Sequence, residues 1–255
     1  MSDWEEDPEV PEDPLLDWQG VVKGLGQVSI SPPKWVVPNF LPPGLSIIAS
    51  DPKVGKTTLT LAVINVLLNG ATLNADDHSG TVIGPVPNGG TVFYVPYEQS
   101  DGRLRHMYET RVARRTHPPS YAKFLFPEEP WSWQVDKPTI HENYEQFMKA
   151  VKPSVTVIDP WIYAHSGDEN DPSSIRPLVP LKNLAEKLGL SVVVIHHNSK
   201  RSDVEGFGKV RGTSALWGMA DAGHLVSRDP RIPGKLMIKS EFKDWEAKEW
   251  SWRLP

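Results

Sequence analysis

The 255-residue sequence contains no cysteine. This absence excludes disulfide bonds, metal sites built from thiolates and a cysteine nucleophile. Long apolar runs are also missing, because no stretch approaches the ~20 apolar residues that span a bilayer. The first residues are acidic, whereas a signal peptide would be basic and then apolar. We therefore expect a cytoplasmic protein with no membrane partner.

Basic residues are absent from the first 17 positions, which hold eight acidic side chains. These are Asp3, Glu5, Glu6, Asp7, Glu9, Glu12, Asp13 and Asp17. The whole chain has a formal net charge of −5, from 27 basic and 32 acidic residues, so the remainder holds 27 basic against 24 acidic groups. A body this close to neutral would bind DNA only through local patches or as a ring of subunits.

The chain divides into a tail, an arm and one large domain. Residues 1–20 are acidic and carry prolines without periodicity, which predicts a disordered tail. Residues 21–44 mix prolines and glycines with apolar residues, which is typical of an extended arm that packs on the body or on a neighbouring subunit. Residues 45–255 have the length of a single domain.

An apolar run ends at residue 49 in a turn of small residues, and Gly55-Lys56-Thr57 opens a helix. This order is typical of a triphosphate-binding loop, in which backbone N–H groups and the helix N-terminus face the phosphates. Lys56 would place its charge on the β- and γ-phosphates, and Thr57 would ligate Mg²⁺. The predicted ATP-binding residues of this loop are Ser50, Asp51, Pro52, Lys53, Val54, Gly55, Lys56, Thr57 and Thr58.

Ser50 departs from the P-loop pattern, which has glycine at this position. Serine is small enough for the loop to form, but a positive φ there would be strained. Helical spacing of apolar residues from Leu59 to Leu67, ended by Gly70, supports the helix that follows. The alternative is a Gly-Lys-Thr turn in an arbitrary α/β domain. A strand and a helix on the correct sides favour the nucleotide site.

Apolar strands alternate with helices along most of the chain. Residues 91–96, 155–158 and 192–195 are nearly all apolar, and helical spacing recurs between them. This alternation predicts an α/β fold whose mostly parallel central sheet has helices on both faces. From about residue 222 the chain indicates strands separated by turns. Residues 70–90, rich in Gly, Asn, Asp and Pro, are predicted to be a long loop.

Polar groups follow three predicted strands at their carboxyl ends, where ligands bind in parallel α/β sheets. Glu98 follows the first strand, Asp159 closes the second, and His196-His197 closes the third. Asp159 is placed to hold Mg²⁺ or its waters beside Thr57. Glu98 would orient or deprotonate the attacking water, and a histidine at the third end would sense the γ-phosphate.

Each of these residues also has a simpler interpretation. Asp159 could cap the next loop, and Glu98 could cap the helix that starts near Ser100. A tandem pair of histidines is more often structural than catalytic. The pair could also form a divalent metal site with Asp159, but no further ligand at a regular spacing supports it.

The order of these motifs resembles that of the RecA-like ATPases. The order is the P-loop, Glu98, Asp159, His196-His197 and then Val-Arg-Gly-Thr-Ser-Ala-Leu at 210–216. Within that family the chain looks most like the stand-alone plasmid RepA and DnaB-type replicative helicase branch, including phage-encoded members. The resemblance covers about residues 35–245. It implies a RecA-like fold with an antiparallel strand extension at its C-terminus, and a ring, usually a hexamer, with ATP between subunits.

The resemblance also implies roles for individual residues. Lys56 contacts the phosphates, Glu98 is the catalytic base and Asp159 is the Walker B acid. His196 couples the γ-phosphate to DNA, and His197 is the less certain of the two histidines.

Two further cations are implied at the site of a neighbouring subunit. Arg211 matches the segment whose arginine enters that site as a finger, which is worth ~10³ or more in rate. Lys239 is a candidate for a second cation at the ATP. For both residues, an ordinary surface role is the alternative.

Two polar loops, 160–172 and 198–210, face the ring's channel in this family. The second carries the predicted DNA-binding residues Lys200, Arg201 and Lys209, a basic set suited to a phosphate backbone. The alternative is a surface loop without a ligand. The first loop is acidic, and its role stays open.

The resemblance predicts an ATP-hydrolysing motor, a ring-forming helicase on single-stranded or forked DNA, with ATP and Mg²⁺ as cofactors. Two alternatives stay open. One is a RadA-like recombination ATPase that binds branched DNA. The other is a metal-dependent, structure-specific DNA nuclease on the same scaffold. A small-molecule kinase is disfavoured, because no arginine-rich lid segment is recognisable in the sequence.

Overall fold

The strand that precedes the phosphate loop is buried at all seven of its positions. A strand of this kind is covered on both faces by other elements. The computed structural model describes residues 34–76, 81–86, 89–113, 121–168, 171–198 and 214–255. The remainder of the predicted tail and arm, residues 1–33, lies outside the described residues, and the domain boundaries stay a prediction.

The described strands are β1 (Gly44–Ser50), β2 (Leu73–Asn74), β3 (Thr81–Ile83), β4 (Val92–Pro96), β5 (Phe124–Leu125), β6 (Val155–Asp159), β7 (Ser191–His197), β8 (Ala222–Arg228), β9 (Lys235–Phe242) and β10 (Lys248–Arg253). Eight of them form one sheet in the order β10-β9-β8-β1-β7-β6-β4-β5. The pairs from β8 to β5 are parallel, whereas β9 pairs antiparallel with both β8 and β10. The predicted parallel sheet with an antiparallel C-terminal extension is confirmed.

The described α-helices are α1 (Lys56–Asn69), α2 (Asp101–Met107), α3 (Pro138–Val151), α4 (Leu178–Leu188) and α5 (Ser214–Met219). A π-helical turn, Tyr108–Val112, continues α2. Gly70 ends α1 and Gly189 ends α4, each in the left-handed conformation that favours glycine. No helix in the described part of the chain is long and apolar enough to cross a membrane.

The sheet separates two apolar cores, one on each face. Because side chains alternate along a strand, Ile48 of β1 packs with α1, whereas Ile47 packs on the opposite side with Tyr144 of α3 and Leu181 of α4. Every strand that crosses the middle of the sheet therefore presents one set of residues to α1 and the other to α3 and α4. This alternation decides which polar side chains at the strand ends can reach the phosphate loop.

The described part of the predicted arm belongs to the body of this chain. Val37, Phe40 and Leu41 are almost completely buried and join the core on the α1 face. Phe40 stacks on the imidazole of His224 in β8, with ring centroids 3.8 Å apart. The residues just before β1 therefore pack against the C-terminal extension.

The prediction of a long loop at residues 70–90 was wrong in part. Leu73–Asn74 and Thr81–Ile83 pair antiparallel as β2 and β3, with an irregular register. Strands of two and three residues are too short to show the two-residue periodicity that identifies a strand in a sequence.

Candidate nucleotide-binding site

The phosphate loop joins the buried end of β1 to the N-terminus of α1. Ser50 is the last residue of β1, pairs with β7 and β8, and is not among the residues with positive φ. The substitution of serine for glycine there is therefore free of backbone strain. The left-handed conformations fall on Lys53, with φ 63°, and on Gly55, with φ 129°. Gly55 precedes α1 directly, so the first turn of the helix begins at Lys56.

Lys56 is buried, with 7% of its surface exposed, and its ammonium group lies over the phosphate loop. Its Nζ donates to the carbonyl oxygens of Ser50, at 3.1 Å, and of Asp51, at 3.4 Å. Burial lowers the pKa of Lys56 from 10.5 to about 8, while the nearby charges of Asp159 and Glu98 oppose that change. The two carboxylates predicted from the strand ends thus act electrostatically on the predicted phosphate-binding lysine.

Asp159 lies at the end of β6, buried on the same face of the sheet as Lys56. The hydroxyl of Tyr94, in the neighbouring strand β4, donates to Asp159 Oδ2 at 2.5 Å. Burial raises the pKa of Asp159 to about 6, although hydrogen bonds from Tyr94 and Thr57 and the charge of Lys56 all lower it. Asp159 is therefore held by groups from two neighbouring elements, Tyr94 from β4 and both Lys56 and Thr57 from α1.

Thr57 and Asp159 bring a hydroxyl and a carboxylate oxygen together beside Lys56. Oxygen ligands of this kind suit Mg²⁺, which takes one or two protein ligands and completes its octahedron with phosphate oxygens and waters. The residues present therefore fit the predicted magnesium site.

Glu98 follows β4 and is exposed at the same edge of the sheet. The predicted alternative, that it caps the next helix, does not hold: Ser100 is the N-cap of α2, and its hydroxyl accepts from the backbone N–H of Arg103 at 3.2 Å. Glu98 is left beside the lysine and the aspartate, since its charge acts on the pKa of both.

The two histidines at the end of β7 point to opposite faces of the sheet. His197 lies on the face of α1, where its Nδ1 is 3.1 Å from Lys56 Nζ. His196 is 2% exposed and lies on the other face, where its Nδ1 is 2.9 Å from the carbonyl oxygen of His197. Burial lowers the pKa of His196 to about 4. The structure thus brings His197, rather than the favoured His196, to the predicted phosphate-binding lysine.

Two residues at this site were missed in the sequence. Tyr94 holds Asp159, and Arg228 at the end of β8 donates to two carbonyl oxygens of the phosphate loop. A tyrosine in an otherwise apolar strand was a usable signal for the first, because a buried hydroxyl requires a partner. Arg228 had no such signal, since it lies more than 170 positions from the loop it contacts.

The remaining predicted residues are Lys239 and four residues that the structure does not describe. Arg211 and the basic set Lys200, Arg201 and Lys209 lie outside the described residues. Lys239 of β9 is half-exposed and pairs with Glu249 of β10 at 3.2 Å. Because side chains alternate along a strand, Lys239 points to the face of the sheet opposite to that of Ile238, which packs in the α1 core together with Val54 of the loop.

The predicted His-His-Asp metal site finds no support. Across the described ranges, no group of three or more His, Cys, Asp or Glu side chains is placed to hold a metal ion. The opposite orientation of the two histidines accounts for this result, because they cannot both face Asp159.

A buried phosphate-loop lysine, a threonine beside a strand-end aspartate and a mostly parallel sheet define a P-loop ATPase of RecA-like fold. The comparison with protein families agrees with this class. The chain belongs to the AAA domain family, which it matches over residues 11–203. A comparison with curated proteins found no match.

Solved structures of similar fold include a recombinase and a replicative helicase. The chain is similar to the RadB recombinase, with 23% identity and a TM-score of 0.54, over 84% of this chain and 88% of that one. It is also similar to a DnaB-like replicative helicase, with 16% identity and a TM-score of 0.54, over 82% of this chain. The match spans 56% of that helicase. At these identities the likeness establishes the fold.

Proposed function

We propose that the protein is an ATP-hydrolysing motor on single-stranded DNA, a ring-forming helicase of the DnaB or RepA type. The observation that carries the proposal is the convergence of Lys56, Thr57, Asp159 and Glu98 at one edge of the sheet. This arrangement provides a cation for phosphates, oxygen ligands for a metal and an exposed carboxylate for water.

Each residue of this group has a distinct role in the proposed reaction. Lys56 and the loop N–H groups bind the β- and γ-phosphates. Thr57 and Asp159 would hold Mg²⁺, which when bound neutralises charge on the phosphate oxygens. Glu98 orients the attacking water and accepts its proton. His197, within hydrogen-bond distance of Lys56 Nζ, reports the state of the phosphate site to β7.

The proposed ring, which we expect to be a hexamer, would supply further cations to this site. Arg211 from a neighbouring subunit would stabilise charge in the transition state, and Lys239 from that subunit is a second candidate. Six copies of the basic residues Lys200, Arg201 and Lys209 would surround one strand of DNA. Such a ring would reconcile a negative net charge with DNA binding.

The first experiment measures ATP hydrolysis with and without single-stranded DNA. We expect DNA to stimulate turnover and Lys56→Ala to abolish it, because the loop would lose its phosphate-binding charge. Lys149→Ala is the matched control, since this exposed lysine of α3 pairs with Glu145 on the other face of the sheet. Turnover in Lys56→Ala equal to that of wild type would refute the assignment.

The second experiment tests the contribution of a neighbouring subunit. Arg211→Ala should bind nucleotide normally but hydrolyse it about 10³-fold more slowly, the magnitude typical of an arginine finger. Addition of ATP and single-stranded DNA should increase the size of the assembly formed by the wild type and by Arg211→Ala alike. Equal turnover in the variant would remove the finger assignment.

A recombination ATPase that binds branched DNA is the second candidate. It is supported by the RadB recombinase, 88% of whose length matches this chain, compared with 56% of the DnaB-like helicase. Strand displacement on a forked substrate separates the two proposals. ATP-dependent displacement favours the helicase, whereas tight binding to branched DNA without displacement favours the recombination ATPase.

A further inference from the structure

Arg228 contacts the phosphate loop from the C-terminal end of β8. Its Nη2 donates to the carbonyl oxygen of Lys53 at 2.7 Å, and its Nε donates to the carbonyl oxygen of Val54 at 3.2 Å. β8 pairs with β1 up to Ser50, so the arginine begins its reach beside the strand that leads into the loop. The guanidinium fork thus binds two successive carbonyl groups of one loop.

Binding these carbonyls determines where the loop N–H groups point. In a trans peptide unit, the C=O of one residue and the N–H of the next point in opposite directions. Holding the carbonyls of Lys53 and Val54 therefore orients the N–H groups of Val54 and Gly55 away from Arg228. N–H groups of such loops are the ones that contact phosphate oxygens.

The loop conformation needs this support because part of it is unfavourable. Lys53 adopts φ 63°, a left-handed conformation that residues other than glycine, asparagine and aspartate rarely adopt. The hydrogen bond from Arg228 Nη2 is made at this same residue. Without it, the Lys53 peptide could rotate to an ordinary conformation and turn the Val54 N–H away.

The C-terminal extension also packs against the loop at Gly55. A Cβ atom at this position would lie 3.3 Å from a methyl carbon of Leu254 and 3.6 Å from one of Leu236. The strands β8 and β9 and the residue after β10 therefore support the loop from one side. This packing makes Arg228 part of a continuous contact between extension and loop.

We propose that Arg228 is a positioning residue that fixes the phosphate loop in its nucleotide-binding conformation. The inference rests on the proposed nucleotide-binding function. Arg228 acts through the loop backbone, to which both of these hydrogen bonds are made. Its planar fork is required because the single ammonium group of lysine is a point donor and is not matched to two carbonyls in a fixed geometry.

The test measures the equilibrium affinity of fluorescent ATP and ADP analogues for the full chain. Arg228→Gln should weaken both nucleotides by the same factor, about 10-fold to 100-fold, because the loop cradles phosphates that ATP and ADP share. Arg228→Lys should recover only part of the loss. Turnover at saturating ATP should change little, so that KM rises while kcat is kept. Arg231→Gln is the matched control, because Arg231 is exposed and lies near Asp229 instead of the loop.

The outcomes separate this inference from the proposed function. If wild type binds nucleotide and Arg228→Gln binds it equally well, the positioning role is overturned and the proposed function stands. Full affinity in Arg228→Lys would also overturn it, because charge alone would then suffice. Folded wild type that binds neither nucleotide overturns the proposed function itself. Should Arg228→Gln fail to fold by circular dichroism, Arg228→Lys decides: partial affinity supports the role, and full affinity overturns it.

Discussion

The variant Tyr94→Phe tests how the site controls the ionisation of Asp159. The change removes one hydroxyl, which donates to Asp159 Oδ2 at 2.5 Å, and leaves the aromatic ring in the core. The ring stays packed near Phe124 and Phe126, with centroids 6.2 and 6.1 Å away. The perturbation is therefore confined to the hydrogen bond.

The size of the effect follows from the pKa of Asp159, which burial raises to about 6 despite the Tyr94 bond. A hydrogen bond to a charged group is worth about 1.5–3 kcal/mol, and 1.36 kcal/mol corresponds to a pKa change of one, so the variant should reach a pKa of about 7 to 8. At pH 7 the protonated fraction would rise from about one tenth to between about one half and nine tenths. A protonated carboxyl is a poor Mg²⁺ ligand.

We therefore expect Mg²⁺-dependent ATP hydrolysis by Tyr94→Phe to fall about twofold to tenfold at pH 7, in proportion to the ionised fraction, and to recover by about pH 9. The assay is steady-state turnover over pH 6 to 9 at several Mg²⁺ concentrations, with nucleotide binding in EDTA measured separately. Tyr144→Phe is the control, since Tyr144 is as buried as Tyr94 but lies on the opposite face of the sheet. Superimposable pH and Mg²⁺ profiles for Tyr94→Phe and wild type would refute the reasoning.

Two further predictions concern histidines. His197→Asn should weaken turnover about tenfold, because one hydrogen-bond partner of Lys56 is lost, whereas His196→Asn should mainly lower the melting temperature. Similar turnover defects in both variants would contradict the assignment of opposite faces. Burial lowers the pKa of His224 from 6.5 to about 3. The contribution of the neutral imidazole to the free energy of unfolding is therefore complete above pH 6.5 and is lost as the pH falls towards 3. The loss reaches about 5 kcal/mol. His224→Gln should therefore flatten the fall in unfolding free energy between pH 6.5 and 4, measured by urea titration, and the exposed His106→Gln should not.

The antiparallel extension has a role that the motifs did not indicate. Strands β8 to β10 continue the sheet beyond β1 at one edge, and this part of the chain also reaches the phosphate loop through Arg228, Leu236 and Leu254. The loop is thus supported by residues near the end of the chain. If the loop binds nucleotide as proposed, a change in the extension should alter nucleotide affinity without touching the nucleotide.

The sequence by itself determined the local elements of this protein and the chemistry available at their ends. Apolar runs specify β1, β6 and β7, glycines at 70 and 189 end helices, and Gly55-Lys56-Thr57 opens α1. These features depend on backbone preferences and on burial, which act over a few residues. The convergence of Glu98 and Asp159 on the lysine also followed, because parallel strands bring their carboxyl ends to one edge.

Only the tertiary structure decided which side chains meet at that edge. The register and face of β7 place His197 at Lys56 and turn His196 to the other core. Two adjacent histidines in the sequence do not indicate which of them faces the lysine. Tyr94 lies 65 residues from Asp159 in the chain, and Arg228 lies 174 residues from Val54 and 175 from Lys53. Such contacts depend on strand order and on the packing of whole elements. A local pattern of residues specifies neither the strand order nor the packing.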